Sequence, residues 1–237
     1  MDILTTFLRD FFGLFFPQLC GACGKNLYPG EVEICLACLY SLPKTNFHKD
    51  VENKVVKQFW GRVPIKQAGA FLHFRKGNRV QHLLHNIKYN KRPELAVRMG
   101  ELYGQELLKS GTFIRPDVLI PVPLHPKKLK SRGYNQSACL AEGLSKSLGC
   151  LVLDNVLKRA LFTETQTKKS RFARYENLQD AFEVATPEEL EGKHVLLVDD
   201  VITTGATLEA CIVTLQEKAR VQVSVCPGFC RIMLTSN

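Results

Sequence analysis

The stretch VLLVDDVITTGAT, residues 195–207, constrains this chain more than any other. Val195, Leu196, Leu197 and Val198 make an unbroken apolar run with β-branched ends, the pattern of a parallel strand buried on both faces. The run stops at two adjacent carboxylates, Asp199 and Asp200. A loop of small residues follows over 203–207, and Leu208, Cys211, Ile212 and Leu215 then recur at helical spacing. The order is strand, acid pair, hydroxyl-rich loop and helix.

That order carries chemistry. A helix N-terminus offers unpaired backbone N–H groups and a partial positive charge, so a phosphate settles there if no bulky side chain blocks it. Gly205 and Ala206 leave the backbone open, and Thr203, Thr204 and Thr207 add hydroxyl donors. Asp199 and Asp200 would repel the same phosphate. Their chemistry is to accept hydrogen bonds from sugar hydroxyls or to hold Mg2+ through water. The stretch therefore asks for a sugar bearing a phosphate; the plain alternative is a buried strand ending in a solvated acidic turn. A Walker loop needs a glycine–lysine pair and a dinucleotide fold needs three spaced glycines, and the stretch has neither.

These thirteen residues resemble, position by position, the phosphoribosyl pyrophosphate (PRPP) signature of the type I phosphoribosyltransferases. The resemblance implies that Asp199 and Asp200 contact ribose hydroxyls while residues 203–207 wrap the 5′-phosphate.

Near the other end, Cys20 and Cys23 form one C-x2-C knuckle and Cys35 and Cys38 a second, with eleven residues between them. Two such turns complete a tetrahedral four-thiolate site with no open position, which predicts a structural zinc. A pair of disulfides or an iron–sulfur cluster are the alternatives. Cys139, Cys150, Cys211, Cys226 and Cys230 sit in apolar surroundings and read as packed core thiols.

A length of 237 residues suits one large domain plus a small module. The expected division is residues 1–60, with the cysteines and a linker, and residues 61–237. The first nineteen residues are rich in Phe and Leu, but Arg9 and Asp10 interrupt them. They predict a short amphipathic helix that packs on the protein, with membrane-surface contact as the alternative, in a cytoplasmic chain without a spanning segment. The formal net charge is +9, and residues 120–180 hold eleven Lys/Arg against five Asp/Glu. So dense an excess implies an anionic partner, a pyrophosphate or a nucleic acid.

Between these landmarks, residues 41–66 read as a connection and 69–74 as a strand. Val80, Leu83, Leu84 and Ile87 predict an amphipathic helix that delivers Lys88 at its end. Lys88 is either a solvated cation favoured by the helix dipole or a ligand of the substrate pyrophosphate. Pro93 opens a helix closed by Gly111, and 117–122 is a buried strand. Prolines 121, 123 and 126 hold the chain rigid beyond it, where ligands of open α/β sheets gather. Lys127, Lys128, Lys130 and Arg132 come next, then a helix stopped by Gly149, a short strand over 151–153, and a last strand over 221–225. Residues 163–177 have the composition of a mobile loop, either a lid over a polyphosphate or a groove for single-stranded nucleic acid on which Phe172 or Tyr175 stacks.

Taken together, the knuckles, Lys88 with Tyr89, the run from Pro121 to Gln136, the spaced Thr163, Gln166, Arg174 and Asn177, and the acid–threonine signature resemble the ComF-type competence protein family. The resemblance implies an α/β fold of type I phosphoribosyltransferase kind, a central parallel sheet flanked by helices, beside a small zinc module. It implies that the backbone at Pro123, Leu124 and His125 contacts pyrophosphate and that residues 168–174 close over it, with Lys88, Arg132 and Arg174 as further PRPP ligands. It implies two functional readings. One is a phosphoribosyltransferase that uses PRPP and Mg2+ in DNA uptake, with catalytic Asp199 and Asp200 and an unnamed acceptor. The other is a non-catalytic single-stranded DNA-binding competence factor that uses the PRPP pocket for sensing or structure, with the DNA-uptake machinery as its partner. Glutaminase chemistry is not expected, because Asp2 follows the initiator methionine where the glutamine-using enzymes have a cysteine.

Overall fold

The computed structural model describes residues 17–159 and 181–231. The expected N-terminal helix, apart from its last three residues, and the 163–177 loop with Arg174 lie outside them.

Four strands form the central sheet: β2 (Val118–Pro121), β3 (Leu151–Val152), β6 (His194–Val198) and β8 (Gln222–Val225). They pair in the order β3-β2-β6-β8, every pair parallel, with Val118 opposite Val195 and Pro121 opposite Val198. All five residues of β6 are buried. Alternate residues of a strand point to opposite faces. Leu196 and Val198 accordingly enter one core cluster, while Val195 and Leu197 enter the other. The run is apolar throughout because both faces are covered.

Three helices cover the first face. They are α3 (Arg79–Tyr89), α4 (Pro93–Ser110) and α6 (Gln136–Leu148). Each starts and stops where local chemistry directs. Asn78 Oδ1 accepts from Val80 N and Gln81 N to cap α3, Pro93 opens α4, and Asn135 Oδ1 accepts from Ser137 N to cap α6. Gly111 and Gly149 close α4 and α6 with φ of 65° and 66°, a conformation that glycine adopts without penalty. α4 and α6 approach so closely that a Cβ built on Gly143 would lie 1.9 Å from Val97 O, and one on Gly100 2.2 Å from Leu140 O. On the other face pack α7 (Ala206–Lys218) and the antiparallel pair β4 (Leu157–Arg159) and β5 (Phe182–Val184).

Beyond the acid pair the strand resumes. β7 (Val201–Ile202) joins β1 (Leu72–His73) and β9 (Phe229–Cys230) in a second parallel sheet, order β1-β9-β7. Asp199 and Asp200 stand at the break between the sheets. Gly228 N and Phe229 N hold their carbonyls there at 2.9 Å each.

Two segments differ from the sequence expectation. Residues 41–66 are not a plain connection: after α1 (Leu36–Tyr40) they contain a 3-10 turn at Phe47–Lys49 and the short helix α2 (Lys54–Lys57). Val55 and Phe59 are buried in the core. And Pro126, expected with Pro121 and Pro123 to hold the chain rigid, is the first residue of α5 (Pro126–Arg132), because proline's φ suits a first helical turn. No helix among the described residues is long and apolar enough to cross a membrane.

Candidate functional site

Parallel pairing puts the carboxyl ends of β2 and β6 side by side, and Val122 N extends the ladder to Val198 O at 2.8 Å. The residues after Val198 and after Val122 therefore leave the sheet at one edge. Asp199 turns its Oδ1 back onto Asp200 N at 2.7 Å and accepts from Ser137 Oγ at 3.2 Å. Burial, and then the charge of Asp200, push the Asp199 carboxyl up to about 7, against the lowering effect of the Asp200 N–H, the Ser137 hydroxyl and Lys88. Asp200 Oδ2 meets Lys88 Nζ at 2.8 Å, with both side chains 18% exposed. Among the described residues, Asp199 thus bonds through Oδ1 and Asp200 pairs through Oδ2.

The threonine loop follows β7. Gly205 has φ of 76° and precedes α7, whose first residue is Ala206. The loop curls around a concavity of about 30 Å³ that Asp199 also lines. That is room for a water or two, or for the leading oxygens of a tetrahedral anion.

Beyond the end of the neighbouring strand β2, His125 Nδ1 accepts from Lys127 N at 3.2 Å and caps α5. Asn135 Nδ2 donates to Val122 O at 3.0 Å, tying the cap of α6 to the end of β2. Pro123, Leu124 and His125 are half-buried at that strand end. Arg132 donates to Gln136 Oε1 at 2.7 Å and stacks over the Tyr89 ring at 5.6 Å. Tyr134 Oη donates to Ile87 O. The last turn of α3, the end of α5 and the end of β6 are in this way one assembly.

The sequence-predicted residues fall out as follows. Lys88 pairs with Asp200, Asp200 N donates to Asp199, and Asp199 shares a concavity with residues 203–207. Pro123 to His125 leave the neighbouring strand, and Arg132 reaches Tyr89 rather than a carboxylate. Arg174 lies outside the described residues. Sequence reading missed Ser137, whose sole local signal is its place in the first turn after the Asn135 cap, and it missed Gln58 and Arg62. Gln58 Nε2 donates to Thr203 O at 2.9 Å and Arg62 Nη1 to Thr204 O at 3.1 Å.

A second cluster forms a candidate metal centre. The sulfurs of Cys20, Cys23, Cys35 and Cys38 lie within 4.8 Å of one another, and Cys23 Sγ is 3.8 Å from Cys35 Sγ. A tetrahedral ion with zinc–sulfur bonds near 2.3 Å spaces its sulfurs by about 3.8 Å, so the set fits zinc. Burial works against a Cys20 thiolate, but hydrogen bonds from the backbone of Cys35, Cys23 and Ala22 outweigh it and bring the thiol down to about 7. Burial pushes Cys35 and Cys38 up, so a full set of thiolates needs a cation at its centre. Of the remaining cysteines, Cys150, Cys211, Cys226 and Cys230 are buried and Cys139 is half-buried.

Residues 135–226 match the phosphoribosyl transferase domain family, a span from the cap of α6 to the end of β8. DNA utilization protein YhgH of Salmonella typhi is 36% identical over 129 residues, 53% of this chain and 56% of that one. Competence protein F of Haemophilus influenzae is 45% identical over 94 residues, 39% of this chain and 41% of its own. Competence protein ComFC of Bacillus subtilis is 34% identical over 116 residues, covering 47% and 45%. The chain thus spans about half the length of the curated relatives it matches. Over these shared spans it is a homologue of competence proteins F and ComFC, with a match to the phosphoribosyl transferase domain over residues 135–226 and a four-cysteine cluster at residues 20–38.

Proposed function

We propose that the chain binds 5-phosphoribosyl 1-pyrophosphate at the carboxyl end of β6 and serves DNA uptake in the cytoplasm, transferring phosphoribose to an acceptor. The observation that carries this reading is the convergence of two carboxylates, a lysine and a threonine loop at a helix N-terminus. The 5′-phosphate meets the N–H groups at the start of α7, and the ribose hydroxyls donate to the carboxylates of Asp199 and Asp200. Lys88 is close enough to Asp200 to exchange that carboxylate for the pyrophosphate. The hard oxygens of the two aspartates suit Mg2+, which when bound neutralises pyrophosphate charge. Cys20, Cys23, Cys35 and Cys38 hold a structural zinc.

Calorimetry with PRPP and Mg2+ tests the proposal. Wild-type protein binds, and Asp200→Ala loses at least about tenfold in affinity, the scale of one charged hydrogen bond. Unaltered binding by that variant would overturn the assignment of the acid pair.

A second reading, a single-stranded DNA-binding factor, has its own observation. A groove of about 530 Å³ runs between residues 41–43 and the turn before α3, with His73, Arg75 and Arg79 in its walls and no carboxylate among its lining residues. Phosphate contacts there predict binding that weakens steeply with salt and loses slope in an Arg75→Ala/Arg79→Ala variant. Absence of binding at low salt would remove this reading and leave the first intact.

A further inference from the structure

The segment 58–62 was expected to be part of a connection, yet it grips the threonine loop across about 145 residues of sequence. Gln58 Nε2 holds Thr203 O, and Arg62 Nη1 holds both Thr204 O at 3.1 Å and Gln58 O at 3.0 Å. A Cβ added to Gly205 would lie 3.4 Å from Gln58 Oε1 and from the Phe59 ring, so the loop has its back against this segment. Neither Gln58 nor Arg62 lines the concavity.

Two consequences follow from elementary geometry and charge. In a trans peptide the C=O and the next N–H point in opposite directions. Drawing the carbonyls of Thr203 and Thr204 onto Gln58 and Arg62 therefore turns the N–H groups of Thr204 and Gly205 away from the segment. The other consequence concerns Glu209, the acid in the first turn of α7, one turn from the point where an anion would dock. Its charge opposes that anion. Arg62 forms an ion pair with Glu209 and cancels it.

We infer that Gln58 and Arg62 are positioning residues of the phosphate site: they orient the loop N–H groups and shield the bound phosphate from Glu209. This rests on the reading of the threonine loop as a phosphate site. The arrangement is a clamp behind the site, so its members touch the loop and not the ligand.

The test is calorimetry of the full chain with ribose 5-phosphate as probe, on wild type, Arg62→Ala, Glu209→Gln and the double variant, with melting temperatures recorded alongside. Arg62→Ala is expected to weaken binding about three- to tenfold, the scale of one charge at a helix end. Glu209→Gln, which removes the opposing charge and leaves Arg62 in place, binds more tightly than wild type. The double variant recovers a substantial part of what Arg62→Ala loses. A brace with a purely structural role predicts no such recovery. Wild-type affinity in Arg62→Ala, or a double variant no tighter than the single one, overturns the clamp. Wild-type protein that binds neither ribose 5-phosphate nor PRPP overturns the phosphate site itself, and the clamp with it.

Discussion

Lys88 Nζ lies 2.8 Å from Asp200 Oδ2 and thereby joins the last turn of α3 to the end of β6. Both side chains are mostly shielded, so the pair stands apart from an exposed surface ion pair. Of the two sequence readings of Lys88, a solvated helix-end cation does not describe this contact.

Replacing Lys88 by Gln leaves Asp200 without its cation beside a second carboxylate. The expected cost is about 1–3 kcal/mol of stability, since an unpaired charge with little solvent is expensive. Urea denaturation measures it. A loss below about 0.5 kcal/mol would reassign Lys88 to the helix dipole alone.

Asp199 makes stability depend on pH in an unusual direction. An unfolded aspartate titrates near 3.9, whereas burial and the neighbouring Asp200 charge raise this one to about 7. Between those values the folded chain keeps a proton that the unfolded chain has released, so this group's contribution falls as pH rises from about 4 to 7. Asp199→Asn removes the cost of charging it and can still accept from Ser137 and Asp200 N. The variant is expected to be more stable than wild type by about 1–3 kcal/mol at pH 8, a difference that vanishes near pH 4. Paired denaturation curves at the two pH values decide this, and equal differences at both would contradict it.

The four cysteines do not form a detached appendage. Cys20, Cys35, Cys38 and Ile34 share a core cluster with Leu95, Ala96 and Met99 of α4. A Cβ on Gly21 would lie 2.6 Å from Leu95 Cδ2, and Asn86 Nδ2 donates to Gly21 O at 2.7 Å. Purified protein is expected to carry about one zinc per chain, and a strong chelator is expected to lower the melting temperature of the whole protein. Metal analysis without zinc, or a melt indifferent to chelation, would count against the centre.

The contact between α4 and α6 has no room for a methyl group. Gly143→Ala would bring its Cβ to 1.9 Å from Val97 O and 2.7 Å from Glu101 N, both backbone atoms that cannot rotate away. The expected cost is at least about 3 kcal/mol, the upper range for overpacking. Because α6 carries Ser137, the partner of Asp199, the same change should also weaken ligand binding. Circular dichroism and unfolding curves check the first point, and calorimetry the second. A variant as stable as wild type would mean that the helices stand farther apart than this.

The elements whose signals are local were legible. The apolar run of β6, the 3.6-residue spacing in α3 and α7, Pro93 as a start and Gly111 and Gly149 as stops each act over one or two turns, and each stands where the pattern put it. The pairing of the cysteine knuckles is local in the same sense. Residues 41–66 defeated periodicity because α2 is only four residues long and is held by capping and burial, with Asn53 Oδ1 accepting from Val55 N and Val56 N. α5 was missed because its short run is basic and buries no side chain, so that no apolar face announces it.

By itself, then, the sequence determined the local order: a strand, two acids, an open loop and a helix start are contiguous, and their order needs no partner. Which side chains surround those groups was decided by the tertiary structure. Ser137 reaches Asp199 over 62 positions and Gln58 reaches Thr203 over 145, distances at which no periodicity operates. Such contacts arise where the parallel sheet lines up its strand ends and the glycines of α4 and α6 let two helices close on one another. They come from packing, which the chain acquires once it is folded.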